Sequence, residues 1–224
     1  MNSEGSEYDR LFYPYLFEGG QVSTDEVLAQ VQHSILEKCA EIVELRRVVL
    51  ERSGPKIITV GRAMARAFAS GATLLAFGNG GSTTDAQDIV TELLIPPFPS
   101  WSPLPAIALT NDSAVITAVG NDVGFENIFA RQVIAYGRPG DIALGISTSG
   151  NSANILFTFE QAKKQGMLTI GLAGYDGGKM ASSAAIDYCI TTAGDHIPRL
   201  QEVQATTYHA LLEIVQLLLR EENV

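Results

Sequence analysis

The fold of this chain is decided by the stretch T-L-L-A-F-G-N-G-G-S at residues 73–82. The apolar run Leu74–Phe77 is followed at once by a turn with three glycines, and a helical pattern begins behind it. A continuous apolar run is typical of a strand that is buried on both faces, as in a parallel sheet covered by helices. The stretch therefore predicts a strand–turn–helix unit of an α/β protein.

The same pattern recurs further along the chain. Four more short apolar runs precede a polar or glycine-rich turn: Ala106–Leu109, Ile142–Ile146, Leu168–Leu172 and Ile186–Ile190. Five such runs predict a doubly wound, mostly parallel five-stranded sheet flanked by helices.

Helical periodicity occupies both ends of this region. Before the first strand, apolar residues recur at helical spacing up to Leu50 and again from Ile57 to Phe68, with a break at Ser53-Gly54-Pro55. After the last strand, a long helix is predicted from Pro198 to about residue 222. We expect residues 1–22 to be an N-terminal extension. Residues 23–224 would form a single domain that includes the N-terminal helical pair and the C-terminal helix.

Composition excludes several classes of protein. The 224 residues carry 15 Lys and Arg against 25 Asp and Glu, a net charge of −10, which disfavours binding to nucleic acid or to an anionic membrane surface. The N-terminus has no signal-peptide pattern, no apolar run is long enough to span a membrane, and the two cysteines lie far apart. We expect a soluble cytoplasmic protein without a disulfide framework.

Two strand-to-helix turns are suited to a phosphate group. Residues 78–82 combine glycines with a helix start, and residues 147–152 place four hydroxyl side chains and a glycine at another. Free N–H groups at a helix start donate to anions, although a well-capped turn has the same composition. The first turn is no dinucleotide fingerprint, because G-x-G-x-x-G would need glycine at Thr83, and a G-x-x-x-x-G-K-[ST] loop is absent from the sequence.

Candidate acid–base groups lie on two predicted helices. Asp88 and Glu92 are four residues apart and share a face about two turns after the glycine turn. Gln201 and His209 are separated by about 12 Å along the C-terminal helix, with the small Ala205 between them. The alternatives are an exposed carboxylate pair and a partly buried structural histidine. The other two histidines, His33 and His196, have no partner that is evident from sequence.

The motifs together resemble a known family. The ordered set comprises Phe77-Gly-Asn-Gly-Gly-Ser82, Gly120-Asn-Asp122, Gly145-Ile-Ser-Thr-Ser-Gly-Asn-Ser152, Gly174-Tyr-Asp-Gly-Gly-Lys179 and Arg199-Leu-Gln-Glu202. In order and spacing this set resembles the phosphoheptose isomerases, which are sugar isomerase (SIS) domain enzymes. The resemblance extends from about residue 25 to the C-terminus.

The resemblance implies a substrate site, a metal site and an assembly. The positions implied to line the sugar-phosphate site are Asn79, Gly80, Gly81, Ser82, Asn121, Asp122, Ser147, Thr148, Ser149, Ser152 and Gln201. The family's metal positions correspond to Asp88, Glu92, Gln201 and His209, and imply zinc or another divalent ion. The family typically has histidine where this chain has Asp88; carboxylate oxygen also binds zinc but favours harder ions. A homotetramer with sites between subunits is also implied, in which the N-terminal helical pair and the C-terminal helix would be used for oligomer packing.

The implied reaction is the conversion of sedoheptulose 7-phosphate to D-glycero-D-manno-heptose 7-phosphate through an enediol. We hypothesise that Glu92 is the base and His209 the complementary acid, with a metal polarising the sugar oxygens. A second departure from the family is the proline-rich segment 95–99, where an arginine is frequent. The alternatives are a non-catalytic SIS adaptor similar to the DnaA initiator-associating protein, and an isomerase of a related seven- or eight-carbon sugar phosphate.

Overall fold

The structure, a computed structural model, describes residues 23–194 and 196–221. The predicted extension at residues 1–22 lies outside this part. The helices are α1 (Thr24–Ala69), α2 (Gly81–Leu94), α3 (Ser113–Asp122), α4 (Ala130–Tyr136), α5 (Ala153–Lys164), α6 (Gly178–Ser182) and α7 (Ile197–Glu221), with a 3-10 turn at Phe125–Asn127. The strands are β1 (Leu74–Gly78), β2 (Ala106–Ala108), β3 (Ile142–Ser147), β4 (Leu168–Gly174) and β5 (Tyr188–Thr192).

The five strands form one sheet in the order β2-β1-β3-β4-β5, and every neighbouring pair is parallel. Leu74 of β1 lies opposite Ala106 of β2 on one side and Ile142 of β3 on the other. The chain moves outward from β1 to β2 and then returns past β1 to β3. The carboxyl ends of β1 and β3 therefore flank the point where the strand order reverses, which is where open α/β sheets bind ligands.

Helices cover both faces of the sheet, as predicted. Alternate residues of β1 point to opposite faces, so Leu74 and Ala76 join one buried cluster and Leu75 and Phe77 join another. The first cluster includes residues of α1, α2 and α7, and the second includes residues of α4 and α5. Burying each of these leucine side chains contributes roughly 1.5–3 kcal/mol. The doubly wound α/β architecture is thus confirmed.

The predicted pair of N-terminal helices is one continuous helix, α1, with Pro55 inside it. Proline removes one backbone N–H donor and crowds the carbonyl four residues earlier, which is why the sequence predicts a break. The buried stripe of the helix nevertheless continues through this position, with Ser53, Gly54 and Ile57 all buried. Packing along that stripe therefore holds the helix together across the proline.

The chain divides after Glu41 into two compact units, and the second, from Ile42 onward, contains the sheet. The prediction of one domain over residues 23–224 stays a prediction. In the described residues, the helices fall short of the length and apolar character needed to cross a membrane.

The fifth strand begins two residues later than predicted, at Tyr188 instead of Ile186. The Asp187 carboxylate accepts hydrogen bonds from the backbone N–H and the hydroxyl of Thr169, at 3.1 and 3.0 Å. Ile186 N–H also closes a turn onto the Ser183 carbonyl. These bonds hold residues 183–187 as a turn, so strand pairing starts only after Asp187.

Candidate active site

The turn after β1 leads directly into α2, which begins at Gly81. Ser82 is buried, and its N–H donates to the Asn79 carbonyl at 3.0 Å. Gly80, between them, has a φ of 55°. A Cβ on Gly81 would overlap the side-chain amide of Gln201, so glycine at this position leaves the space in which that amide lies against the start of α2. The structure thus brings Gln201 against the first turn.

The turn after β3 is closed by hydroxyl groups and a glycine. The Oγ atoms of Ser147 and Ser152 lie 3.3 Å apart, and the Ser149 hydroxyl accepts the Asn151 N–H at 3.2 Å. Gly150 has a φ of 62°, and a Cβ there would overlap the Gly177 carbonyl. Thr148 is half-buried and Ser149 is exposed.

Two asparagines join these turns. The side chains of Asn79 and Asn154 hydrogen bond to each other twice, each amide nitrogen donating to the other's oxygen at 2.8 Å. Asn154 is 2% exposed, so this pair is shielded from competing water. Asn154 lies in α5, directly after the second turn, and Gly78 of β1 pairs with Ile146 of β3. The two predicted turns, residues 78–82 and 147–152, therefore lie side by side at the carboxyl ends of β1 and β3; we name them together the polar cradle.

A cluster of acid–base side chains connects α2 with α7. His209 Nδ1 lies 2.6 Å from Glu92 Oε2, and His209 Nε2 lies 3.8 Å from Asp88 Oδ2. The Tyr208 hydroxyl donates to the same Asp88 oxygen at 2.8 Å. We call these four side chains the α2–α7 cluster. It brings together three residues that the sequence analysis singled out and one, Tyr208, that it missed.

Burial and nearby carboxylates raise two pKa values at this cluster, those of Asp85 next to it and of Tyr208 within it. Burial, together with the Asp88 carboxylate, raises the pKa of Asp85 to about 6. Burial and the hydrogen bond to Asp88, together with the charges of Asp85, Asp88 and Glu92, raise the pKa of Tyr208 well above its usual range. Tyr208 therefore stays a protonated hydroxyl that donates to Asp88 at physiological pH.

Other predicted site residues are placed apart from these contacts. Asn121 and Asp122 form the exposed last turn of α3, where the Asn121 amide donates to the Asp122 carboxylate at 2.7 Å. Within the described residues, neither side chain hydrogen bonds to the polar cradle. Gln201 and His209 contact different ends of α2, at Gly81 and Glu92, and across residues 23–194 and 196–221 no hydrogen bond joins them.

The residue types of the predicted metal set fit a divalent ion, but their arrangement does not. Carboxylate oxygen, imidazole nitrogen and amide oxygen are all suitable donors. However, Glu92 Oε2 is hydrogen bonded to His209, and Asp88 Oδ2 to Tyr208. Among the residues that the structure describes, no three or more His, Cys, Asp or Glu side chains are grouped to hold a metal ion.

Two residues at the site escaped the sequence analysis although each has a weak signal. Tyr208 is seven residues after Gln201 and so shares its helix face, but a tyrosine there is hard to distinguish from core. Asn154 is a polar residue in the first turn of α5, where exposed polar residues are also common. In both cases the partner lies far away in sequence, at Asp88 or Asn79.

The fold and the position of the polar cradle are those of an open, doubly wound α/β protein, a class that binds its ligands at this edge of the sheet. The SIS domain family matches residues 39–174 of the chain. Among curated proteins, a phosphoheptose isomerase of Geotalea daltonii is 43% identical over 186 residues, covering 81% of this chain and 96% of that protein. One of Aquifex aeolicus is 41% identical over 193 residues, covering 84% of this chain and all of that protein.

Solved structures give the same result. A phosphoheptose isomerase from Neisseria gonorrhoeae has a TM-score of 0.76 at 33% identity and covers 83% of this chain and 98% of its own. One from Francisella tularensis has a TM-score of 0.73 at 35% identity, covering 82% and 97%. The chain therefore belongs to the phosphoheptose isomerase family of SIS-domain proteins.

Proposed function

We propose that this chain is an aldose–ketose isomerase that interconverts sedoheptulose 7-phosphate and D-glycero-D-manno-heptose 7-phosphate. The observation that carries the proposal is the 2.6 Å contact between Glu92 Oε2 and His209 Nδ1. Glu92 lies on α2, the helix that starts at the polar cradle. Membership of the phosphoheptose isomerase family supports the substrate class. An imidazole paired with a carboxylate is suited to proton transfer near neutral pH.

The proposed reaction moves one proton between neighbouring carbons. The Glu92 carboxylate removes a proton from C1 of the open-chain ketose, and the C1–H electron pair forms the C1–C2 double bond of an enediol. His209 gives a proton to the carbonyl oxygen on C2 and takes one from the hydroxyl on C1. Protonation of C2 by Glu92 then yields the aldose, so atoms and charge balance. The side chain of Glu92 is 14% exposed, which limits exchange of its proton with bulk water.

We assign the phosphate group to the polar cradle. The helix starts of α2 and α5 supply backbone donors, and the hydroxyls of Ser147, Thr148, Ser149 and Ser152 add neutral ones. A neutral cradle also explains how a chain of net charge −10 holds an anion, since short-range donors outweigh the distant charges. Gln201, beside Gly81, would contact the sugar next to the phosphate. Roles for Asn121 and Asp122 stay predictions.

The proposed proton transfers use side chains only, and a metal is a separate prediction. The family is consistent with a metal requirement, and the prediction names zinc or another divalent ion at Asp88, Glu92, Gln201 and His209. Asp88, Glu92 and His209 are hydrogen bonded to each other or to Tyr208, so these side chains would have to exchange partners before an ion could bind. Metal content of the purified protein, compared with that of Asp88→Ala, tests this prediction without relying on turnover.

We further propose a homotetramer. The second unit of the chain exposes large apolar side chains on its helices, among them Val43 and Leu50, which are 64% and 68% exposed. Covering such residues with a second copy removes apolar surface from water. Light scattering coupled to size-exclusion chromatography would give the mass of the assembly. A cytoplasmic location stays a prediction from the sequence.

The function is tested by incubating the protein with sedoheptulose 7-phosphate and measuring aldose formation. We expect turnover in the wild type and a loss of about 100- to 10,000-fold in kcat for Glu92→Gln, since the amide cannot accept the proton. Glu160→Gln is the matched control, because Glu160 is exposed on α5. Absence of turnover in a folded, metal-supplemented wild type contradicts the proposal, and substrate binding without turnover would favour an adaptor.

A further inference from the structure

Tyr208 is a buried residue whose hydroxyl hydrogen bonds to an exposed one, Asp88. It is 3% exposed, and its hydroxyl donates to Asp88 Oδ2 at 2.8 Å. The Asp88 side chain itself is 54% exposed. An aspartate at such a surface position would sample several rotamers and lose entropy when it is fixed. A hydrogen bond from a rigid, buried donor selects one of these rotamers for Asp88.

The selected rotamer directs Asp88 towards the catalytic imidazole. Asp88 Oδ2, the oxygen that accepts from Tyr208, lies 3.8 Å from Nε2 of His209, and Glu92 Oε2 lies 2.6 Å from Nδ1. A carboxylate therefore faces each nitrogen of the ring. The ring of Tyr208 also packs on that of His209, with centroids 4.5 Å apart and planes tilted by 57°. The imidazole is thus constrained at both nitrogens and on one face.

We propose that Tyr208 is a positioning residue for the isomerisation, which acts by holding the Asp88 carboxylate beside His209 Nε2 and so fixes the orientation of the imidazole that Glu92 contacts. This inference rests on the proposed function for its kinetic consequence. The hydrogen bond from the Tyr208 hydroxyl fixes the Asp88 rotamer, because the tyrosine ring alone would leave Asp88 free to rotate. Removing only the oxygen should therefore separate positioning from packing.

The kinetic test compares Tyr208→Phe with Tyr136→Phe, which removes the same oxygen from a half-exposed tyrosine on α4. We expect Tyr208→Phe to lower kcat about 10- to 100-fold, the usual effect of losing a hydrogen bond to a charged group that orients a reacting one. KM should stay within about twofold of wild type, and Tyr136→Phe should leave both constants unchanged. A matching rise in KM with a lower melting temperature would indicate a structural role and overturn the proposal.

A second measurement needs no turnover. The chain has three histidines, so ¹⁵N spectra of the imidazole rings are simple, and His209→Gln assigns the His209 signals. We expect Tyr208→Phe and Asp88→Asn each to move the His209 Nε2 signal, and the double variant to move it no further than Asp88→Asn alone. The signals of exposed His33 should stay in place. An unchanged His209 signal in Tyr208→Phe overturns the proposal, and a shift in a protein without isomerase activity would refute only the proposed function.

Discussion

The polar cradle and the α2–α7 cluster lie at opposite ends of the same helix but are built in different ways. The cradle is made of short segments whose shape comes from backbone conformation and glycine and whose polar groups are neutral hydroxyls, as in the Ser147–Ser152 turn. The cluster is made of charged and titratable side chains, and its central contact joins Glu92 to a histidine 117 positions away. One region is thus suited to holding an anion and the other to moving a proton.

Damage to the two regions should have different kinetic consequences. A phosphate bound by the cradle contributes equally to the substrate and to the transition state, so damage there should appear mainly in KM. The cluster acts on the carbon and oxygen atoms whose bonds change, so damage there should appear mainly in kcat. Variants that mix the two effects would show that the regions are not separate.

The largest effect is expected for His209→Gln in the cluster. Glutamine can still form hydrogen bonds, but its amide cannot act as a general acid or base near neutral pH, so we expect kcat to fall about 100- to 10,000-fold with little change in KM. His33→Gln makes the same change at an exposed histidine of α1 and should have no effect. Steady-state kinetics with sedoheptulose 7-phosphate measures both variants. A loss of less than tenfold for His209→Gln would remove it from the proton-transfer pair.

An intermediate effect is expected for Gly81→Ala in the cradle. The added methyl group would overlap the amide at the far end of the Gln201 side chain, which must then turn away from the first turn of α2. We expect KM to rise about tenfold and kcat to change less than KM. Gly54→Ala serves as the control, because its Cβ would lie 3.5 Å from Leu50, an ordinary contact inside a helix. A fall in kcat with unchanged KM would place Gly81 functionally with the cluster.

The two regions also differ in how far the sequence predicts them. The glycines and hydroxyls of the cradle follow strands directly, so local order along the chain was enough to locate both turns. The i, i+4 spacing of Asp88 and Glu92 predicted a shared face as well. The sequence alone could not establish that His209 and Tyr208 contact that face, because helix packing between distant segments decides it.

The errors in the fold have the same physical origin. Pro55 predicts a helix break from local chemistry, and the buried stripe of α1 overrides it. The strand order and the pairing of Asn79 with Asn154 likewise depend on contacts between segments that are remote in sequence. Local chemistry therefore predicted the elements, whereas tertiary packing determined their continuity and their partners.

The smallest effect concerns Asp85, which lies between the two regions, one turn after Gly81 and just before Asp88. Its Oδ2 is buried with no hydrogen-bond partner in the described part of the chain, and burial beside Asp88 raises its pKa from 3.8 to about 6. The folded chain therefore binds this proton more tightly than the unfolded chain does. The stability that Asp85 contributes is present below the unfolded pKa and is lost as the pH rises through the folded value.

We therefore expect the free energy of unfolding of the wild type to contain a component that falls between about pH 4 and pH 6 and then levels off. Asp85→Asn should remove this component, because asparagine stays neutral throughout. The stability of the variant relative to the wild type should therefore be higher at pH 7 than at pH 4. Urea unfolding at several pH values measures the difference, with Glu160→Gln expected to parallel the wild type. Parallel curves for wild type and Asp85→Asn would mean that Asp85 is solvated like an ordinary surface carboxylate, and the boundary between the cradle and the cluster would then be open to water.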